Sequence, residues 1–255
     1  MILAGHQPEY LPYLGFFYKM TQCDKFVLVD HVQYLKKGFQ NRNYIRTKTE
    51  RLLLTIPVLT KGRFSQRIDE VLINNEEPWA RKHWKSIYLN YQDYPFFKEH
   101  RDFFEDLYAK KWERLVDLNL SIILYLMKCF GIEKEVLRSS HYNITGQKTD
   151  MLIDLCKKLG ANTYVSGWGA RAYVEETTFG EYGLSHRFVK FVHPLYKQFY
   201  QPFIPGLSGI DLLFNYGPDA RTILSEAHRH SSTEEDVIPS EPPYDENFSD
   251  SSTSG

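Results

Sequence analysis

ILAGHQPEYLPYLGFFYKMTQCDKFVLVD, Ile2 to Asp30, sets a short apolar run, a polar loop, a helix-spaced apolar series and a second apolar run in succession. Ile2 to Ala4 reads as a strand and Gly5 to Pro12 as a loop. Leu14, Phe17, Tyr18 and Met20 then recur at the spacing of one helical face. Lys25 to Val29 is continuous enough in apolar character to be a buried strand, ending at Asp30. Strand, helix and strand over so few residues is the opening of a parallel βαβ unit, because parallel strands need a crossover connection. In such a unit the loops that follow the two strands emerge at the same sheet edge.

Outward from this start the pattern stays mixed. Arg51 to Val58 resembles another strand, with Pro57 marking its end or an edge position. Glu77 and Pro78 open a helical segment through Leu89, and Asp102 to Phe130 is helical with internal breaks. Met151 to Leu159 is an amphipathic helix stopped by Gly160, and it leads into a strand at Thr163 to Val165. Leu207 to Asn215 reads as a helix capped by Ser208. The expected fold class is α/β, a mainly parallel Rossmann-like sheet with helical elaboration, over residues 1–226. The remaining segment, 227–255, is rich in Ser, Pro and acids with isolated apolar residues. It reads as an acidic, disordered tail, since it buries too little surface to offset ordering entropy. Tyr244 and Phe248 would anchor it if it docks on a partner.

Charge and cysteine usage narrow the function classes. Without the acidic tail the chain carries 30 Lys and Arg against 25 Asp and Glu, a charge of +5. That balance suits an anionic small molecule such as a nucleotide-linked sugar, while no basic cluster of nucleic-acid-binding density appears. Cys23, Cys129 and Cys156 are widely spaced and form no CxxC pair, which fits a reducing cytoplasm. The richest apolar stretch, Leu118 to Phe130, contains Asn119, Ser121 and Lys128 and is too short to span a bilayer. No integral membrane segment is expected. The 18 Tyr and 17 Phe pack a core, line a cleft for a sugar, or do both.

Two polar concentrations follow the two opening strands. In the first, His6, Gln7 and Tyr10 lie where open α/β sheets bind ligands, just before a helix N-terminus. In the second, Asp30, Gln33, Lys37, Asn41, Arg42 and Asn43 supply an acid, amides and cations able to bind sugar hydroxyls and phosphate. His6 and Asp30 are the candidate catalytic groups, for proton transfer and for orienting a hydroxyl. Further along, Ser166 and Arg171 flank a Gly-Trp-Gly turn, His193 opens another polar set, and Asp211 sits among apolar neighbours near a helix start. Each also has a plain structural reading: loop turns, surface cations, a helix-start acid. No compact His or Cys spacing supports a metal site, and no cofactor is required, although magnesium would accompany a nucleotide substrate. Dinucleotide, Walker and nucleophile-elbow motifs are missing from the sequence.

Four stretches carry a family resemblance: HQPEYLPYLGFFYKM from His6, DKFVLVDHVQYLKKGFQNRNYI from Asp24, YVSGWGARAYVEETTF from Tyr164 and HPLYKQFYQPFIPGLSGIDLLFNYG from His193. In series they resemble the WbqC-like protein family over nearly all of the chain before the tail. The resemblance implies a transferase role in O-antigen or related surface-polysaccharide synthesis, acting on an activated sugar or amino sugar. Two alternatives stand beside it. The opening also resembles a nucleotidylyltransferase, without that superfamily's HxGH loop, because His6 is followed by Gln7-Pro8-Glu9. A non-catalytic sugar-binding scaffold is the other.

Overall fold

The computed structural model describes residues 1–227; the expected tail over 228–255 lies outside the described residues. Ala227, read from composition as the first residue of the tail, is buried against the core. The opening forms β1 (Ile2–His6), α1 (Leu14–Thr21) and β2 (Lys25–Leu28), as the sequence predicts, with β1 and β2 parallel and His6 in register with Leu28. Next comes an antiparallel hairpin of β3 (Arg42–Arg46) and β4 (Arg51–Thr55) that is separate from the main sheet.

Three helices follow: α2 (Trp79–Tyr91), α3 (Phe97–Ala109) and α4 (Leu115–Cys129). The chain then adds β5 (Glu135–Arg138), α5 (Lys148–Leu159), β6 (Thr163–Gly167), α6 (Glu176–Glu181) and β7 (Ser185–Val189). It closes with α7 (Gly209–Tyr216) and α8 (Ala220–Ser225). The expected caps are in place: Gly160 ends α5 in the left-handed region at φ 69°, and the Ser208 hydroxyl accepts from the Ile210 N–H.

The main sheet has the order β5-β2-β1-β6-β7, every pairing parallel. Alternate residues on its strands feed two cores. Leu3, Val27 and Tyr164 meet α5 and α6 on one face, whereas Ala4, Phe26, Leu28 and Val165 belong to the larger cluster that takes in α1, α4 and α7. Burial on both faces explains why the two central opening strands read as apolar runs without alternation. At Gly5 the sheet admits no side chain: a Cβ would lie 2.7 Å from the Tyr164 hydroxyl and 3.0 Å from Val29 Cγ2.

Three expectations change. Arg42 and Asn43 are not in a loop but begin β3, with Asn43 and Ile45 buried and Arg42 and Tyr44 partly exposed. Arg51 to Val58 is a strand only as far as Thr55, and it pairs with β3 instead of joining the parallel sheet. The sequence reading also missed β5 and β7, the two edge strands. Their sequences, EVLR and SHRFV, hold only two adjacent apolar residues each, with neither the alternation nor the apolar run that marks a strand.

Candidate functional site

Going along the chain, the sheet grows outward from β1 through β2 to β5, then returns to the other side of β1 for β6 and β7. Strand order therefore reverses between β1 and β6. In open α/β sheets a crevice opens at that point, outside the carboxyl ends of the strands. Here a small, shallow crevice with a volume of about 20 Å³ lies beside it, between the ends of β6 and β7 and the side of α1. Gly167, Trp168 and Val189 come from the strand ends, Gly15, Tyr18 and Lys19 from α1, with Tyr13 and Phe191 closing the sides.

The charge around it is positive. Lys19 lines the crevice, the Arg171 guanidinium sits 4.4 Å from the centre of the Trp168 ring, and the Lys190 ammonium lies 5.8 Å from it. Trp168 is 44% exposed, unusual for so large an apolar ring held in a folded wall. None of the eight lining residues carries a carboxylate. The arrangement can stack a ring or sugar face on Trp168 and place an anion among the cations.

The polar loop from His6 to Pro12 stands at the carboxyl end of β1. His6 Nδ1 lies 3.0 Å from the Gln7 carbonyl, which can only accept, so Nδ1 carries the proton and Nε2 is the acceptor. Burial, aided by the Lys19 charge, lowers the His6 pKa to about 3. At neutral pH the ring is uncharged and offers a lone pair. The loop is pinned from below by amides: Asn43 Nδ2 donates to the Tyr10 and Leu11 carbonyls, and Asn119 Nδ2 to those of Pro8 and Gln40. The Gln40 amide in turn bonds the Gln7 side chain. Asn41 donates to the Ile56 carbonyl. Thus Asn41 and Asn43, expected as ligand contacts, face the protein's own backbone and are buried.

Tyr10 is also buried, in a directed chain of hydroxyls. His83 Nε2 must donate to the Thr55 carbonyl at 3.2 Å, so its Nδ1 accepts from Tyr10, which leaves Tyr10 to accept from Tyr108 at 2.5 Å. Asp30 is fully buried at the end of β2. Its carboxylate accepts from Arg138 Nε at 2.6 Å, from the Ser139 hydroxyl at 3.1 Å, and from the Ser140 N–H and hydroxyl at 2.8 and 2.9 Å. His31 Nδ1 lies 2.6 Å from the same Ser139 Oγ. Serine, histidine and aspartate meet here, but the serine lies between the other two, so the aspartate does not hydrogen-bond and orient the histidine as in a catalytic triad.

The remaining expected residues are dispersed. Ser166 hydrogen-bonds His186 Nε2 at 2.8 Å, under a ring cluster of Tyr164, Phe179 and Phe188. Gln33 donates to the Phe64 carbonyl, Lys37 is exposed on a turn and Arg42 is partly exposed on the hairpin. His193 donates to the Pro194 carbonyl and is buried, with its pKa lowered to about 4. Asp211 is buried in a separate polar cluster with Tyr91, Tyr196 and Gln198. None of the expected set lines the crevice, but Arg171 packs on its Trp168 and His6 is within electrostatic reach of its Lys19. Lys19, Tyr13, Phe191 and Lys190 were missed: Lys19 looks like an ordinary polar position in α1, and only the sheet order brings these residues together. Among the described residues, no group of three or more His, Cys, Asp or Glu side chains could hold a metal, and no helix is long and apolar enough to cross a membrane. All three cysteines are unpaired.

Fold and crevice define a parallel, doubly wound α/β protein with a cationic crevice beside its topological switch point. The chain belongs to the WbqC-like protein family, whose profile matches residues 7–223. It is 36% identical over 222 residues to the uncharacterized protein Rv1507c of Mycobacterium tuberculosis, which covers 86% of this chain and 95% of the relative. No solved structure matches it.

Proposed function

We propose that the protein is a transferase that binds a nucleotide-activated sugar in the switch-point crevice and acts in O-antigen or related surface-glycan synthesis. The observation that carries this reading is a cationic crevice with an exposed Trp168 beside the strand-order reversal. Lys19, Arg171 and Lys190 neutralise the diphosphate, and Trp168 packs against the base or a sugar ring. Neutral His6 accepts a hydrogen bond through Nε2 from a substrate hydroxyl. Asp30 acts as a positioning residue, holding the ends of β2 and β5. Magnesium, if present, arrives on the substrate's diphosphate, since the crevice lining supplies no carboxylate for it.

Calorimetric titration of the purified protein with a panel of nucleotide sugars tests this. Binding is expected, weakened about 10- to 100-fold by Lys19→Ala, the loss of one charge-assisted hydrogen bond. A well-folded protein that binds no nucleotide sugar overturns the proposal. Release of pyrophosphate from a nucleoside triphosphate would instead favour nucleotidyl transfer.

A further inference from the structure

Arg46, at the end of β3, is the largest fully buried side chain among the described residues. Its backbone N–H donates to the Tyr91 hydroxyl at 2.8 Å, and Nη2 donates to the Pro202 carbonyl at 2.9 Å. Nε and Nη1 have no acceptor. The buried Tyr94 hydroxyl, within electrostatic reach of the guanidinium, also has no hydrogen-bond partner. Asp211, likewise fully buried, accepts from Tyr91 at 3.3 Å, Tyr196 at 2.9 Å, Gln198 at 3.2 Å and Asn215 at 3.5 Å. The Arg46 guanidinium lies within electrostatic reach of Asp211 without hydrogen-bonding to it.

Buried N–H groups of a guanidinium are rarely left unmatched, because desolvation without a partner is strongly unfavourable. Three N–H donors and a hydroxyl at one place call for a group with several acceptor atoms. We propose that Arg46, Tyr94 and Asp211 wall a closed binding site for a compact oxyanion, either a carboxylate or a phosphate, covered by the segment from Gln198 to Gly206. The occupant accepts from Arg46 Nε and Nη1 and from Tyr94 Oη. The cover supplies the Pro202 carbonyl to Arg46 and Gln198 to Asp211. This site does not depend on the nucleotide reading of the crevice, although Phe191, His193 and Tyr196 form a run of packed rings between the two places.

Binding is proton-linked. The groups facing Asp211 are Arg46 from β3, Tyr91 at the end of α2, Tyr94 in the turn after it, Tyr196 just before the cover, Gln198 from the cover, and Asn215 from α7, with Tyr200 beside Tyr94. At neutral pH the charges among them are those of Arg46 and Asp211. Burial has already pushed the Asp211 pKa up to about 6. A second anion in the same low-dielectric space raises it further, so Asp211 takes up a proton as the oxyanion enters.

The full chain is titrated with sodium acetate and with inorganic phosphate at pH 7, by calorimetry in two buffers of different ionisation heat. Saturable binding is expected with uptake approaching about one proton. Tyr94→Phe weakens it roughly tenfold, one hydrogen bond to a charged group, and Asp211→Asn abolishes the proton uptake but leaves the binding. The tighter of the two probes identifies a carboxylate or a phosphate source. Absence of saturable binding by a protein that still unfolds cooperatively overturns the proposal. So does binding that takes up no proton and ignores Tyr94→Phe, or a crystal grown with both anions that shows only water beside Arg46.

Discussion

Asp30 shows how a residue's chemistry is set by its neighbours. As read from the sequence, it is an acid at a strand end, suited to a base or a hydroxyl acceptor. In the fold its four donors are three from the two serines that follow β5 and one from Arg138, so it ties the edge strand to the centre. Asp30→Ala is expected to cost about 3 kcal/mol, because it removes one partner of a largely buried ion pair. Denaturant unfolding measures this, and a loss below about 0.5 kcal/mol, typical of exposed sites, would refute the structural role. Tyr10→Phe gives a second check. It breaks the directed chain from Tyr108 to His83 and is expected to cost about 1 to 3 kcal/mol while leaving nucleotide-sugar affinity unchanged. Loss of affinity without loss of stability would put Tyr10 in the site. His6 was legible as a site candidate because a strand-to-helix loop is a known place for ligands. The burial of Tyr10, Asn41 and Asn43 was not legible, because amides and hydroxyls look the same in sequence whether they face a ligand or a backbone carbonyl.

Among the elements, the central strands and the helices with clear caps were readable, while the edges were not. β1, β2 and β6 are buried on both faces and announce themselves as apolar runs. β5 and β7 are as long as the central strands but half-polar, because an edge strand packs on fewer neighbours. The hairpin shows the opposite difficulty: its strand residues Arg42 and Asn43 are polar, so a loop was expected. Contact between adjacent strands at Gly5 yields a prediction at this scale. Gly5→Ala should destabilise by about 1 to 3 kcal/mol, since its methyl would press on the Tyr164 hydroxyl from β6. Tyr164→Phe in the same chain removes the nearest atom and should recover part of that loss, seen as a coupling in a double-mutant cycle. Additive losses would show that the strain lies elsewhere, for example against Val29.

For the whole molecule, buried titratable groups link stability to pH. Burial lowers the pKa of His6 to about 3 and those of His83 and His193 to about 4, against 6.5 for an unperturbed histidine. Between these limits the unfolded chain binds more protons, so each histidine removes stability as pH falls. Asp211 acts in the other direction: its folded pKa of about 6 exceeds 3.8, so acidification relieves the cost of burying its charge. Three losses against one gain leave a net loss of roughly 2 kcal/mol between pH 6 and 5. Thermal denaturation across that range should show a falling midpoint, and a midpoint that rises would contradict the burial of these histidines. The sequence by itself determined the βαβ opening, the α/β class, the principal helices and the family, because these rest on local spacing and on runs of apolar residues. Only the tertiary structure decided the strand order, and with it the crevice where Lys19, Trp168 and Lys190 converge. It also decided that polar residues such as Arg46 and Asp211 are interior. Those facts depend on which distant segments pack together, and hydrophobic periodicity along one segment carries no information about its partner.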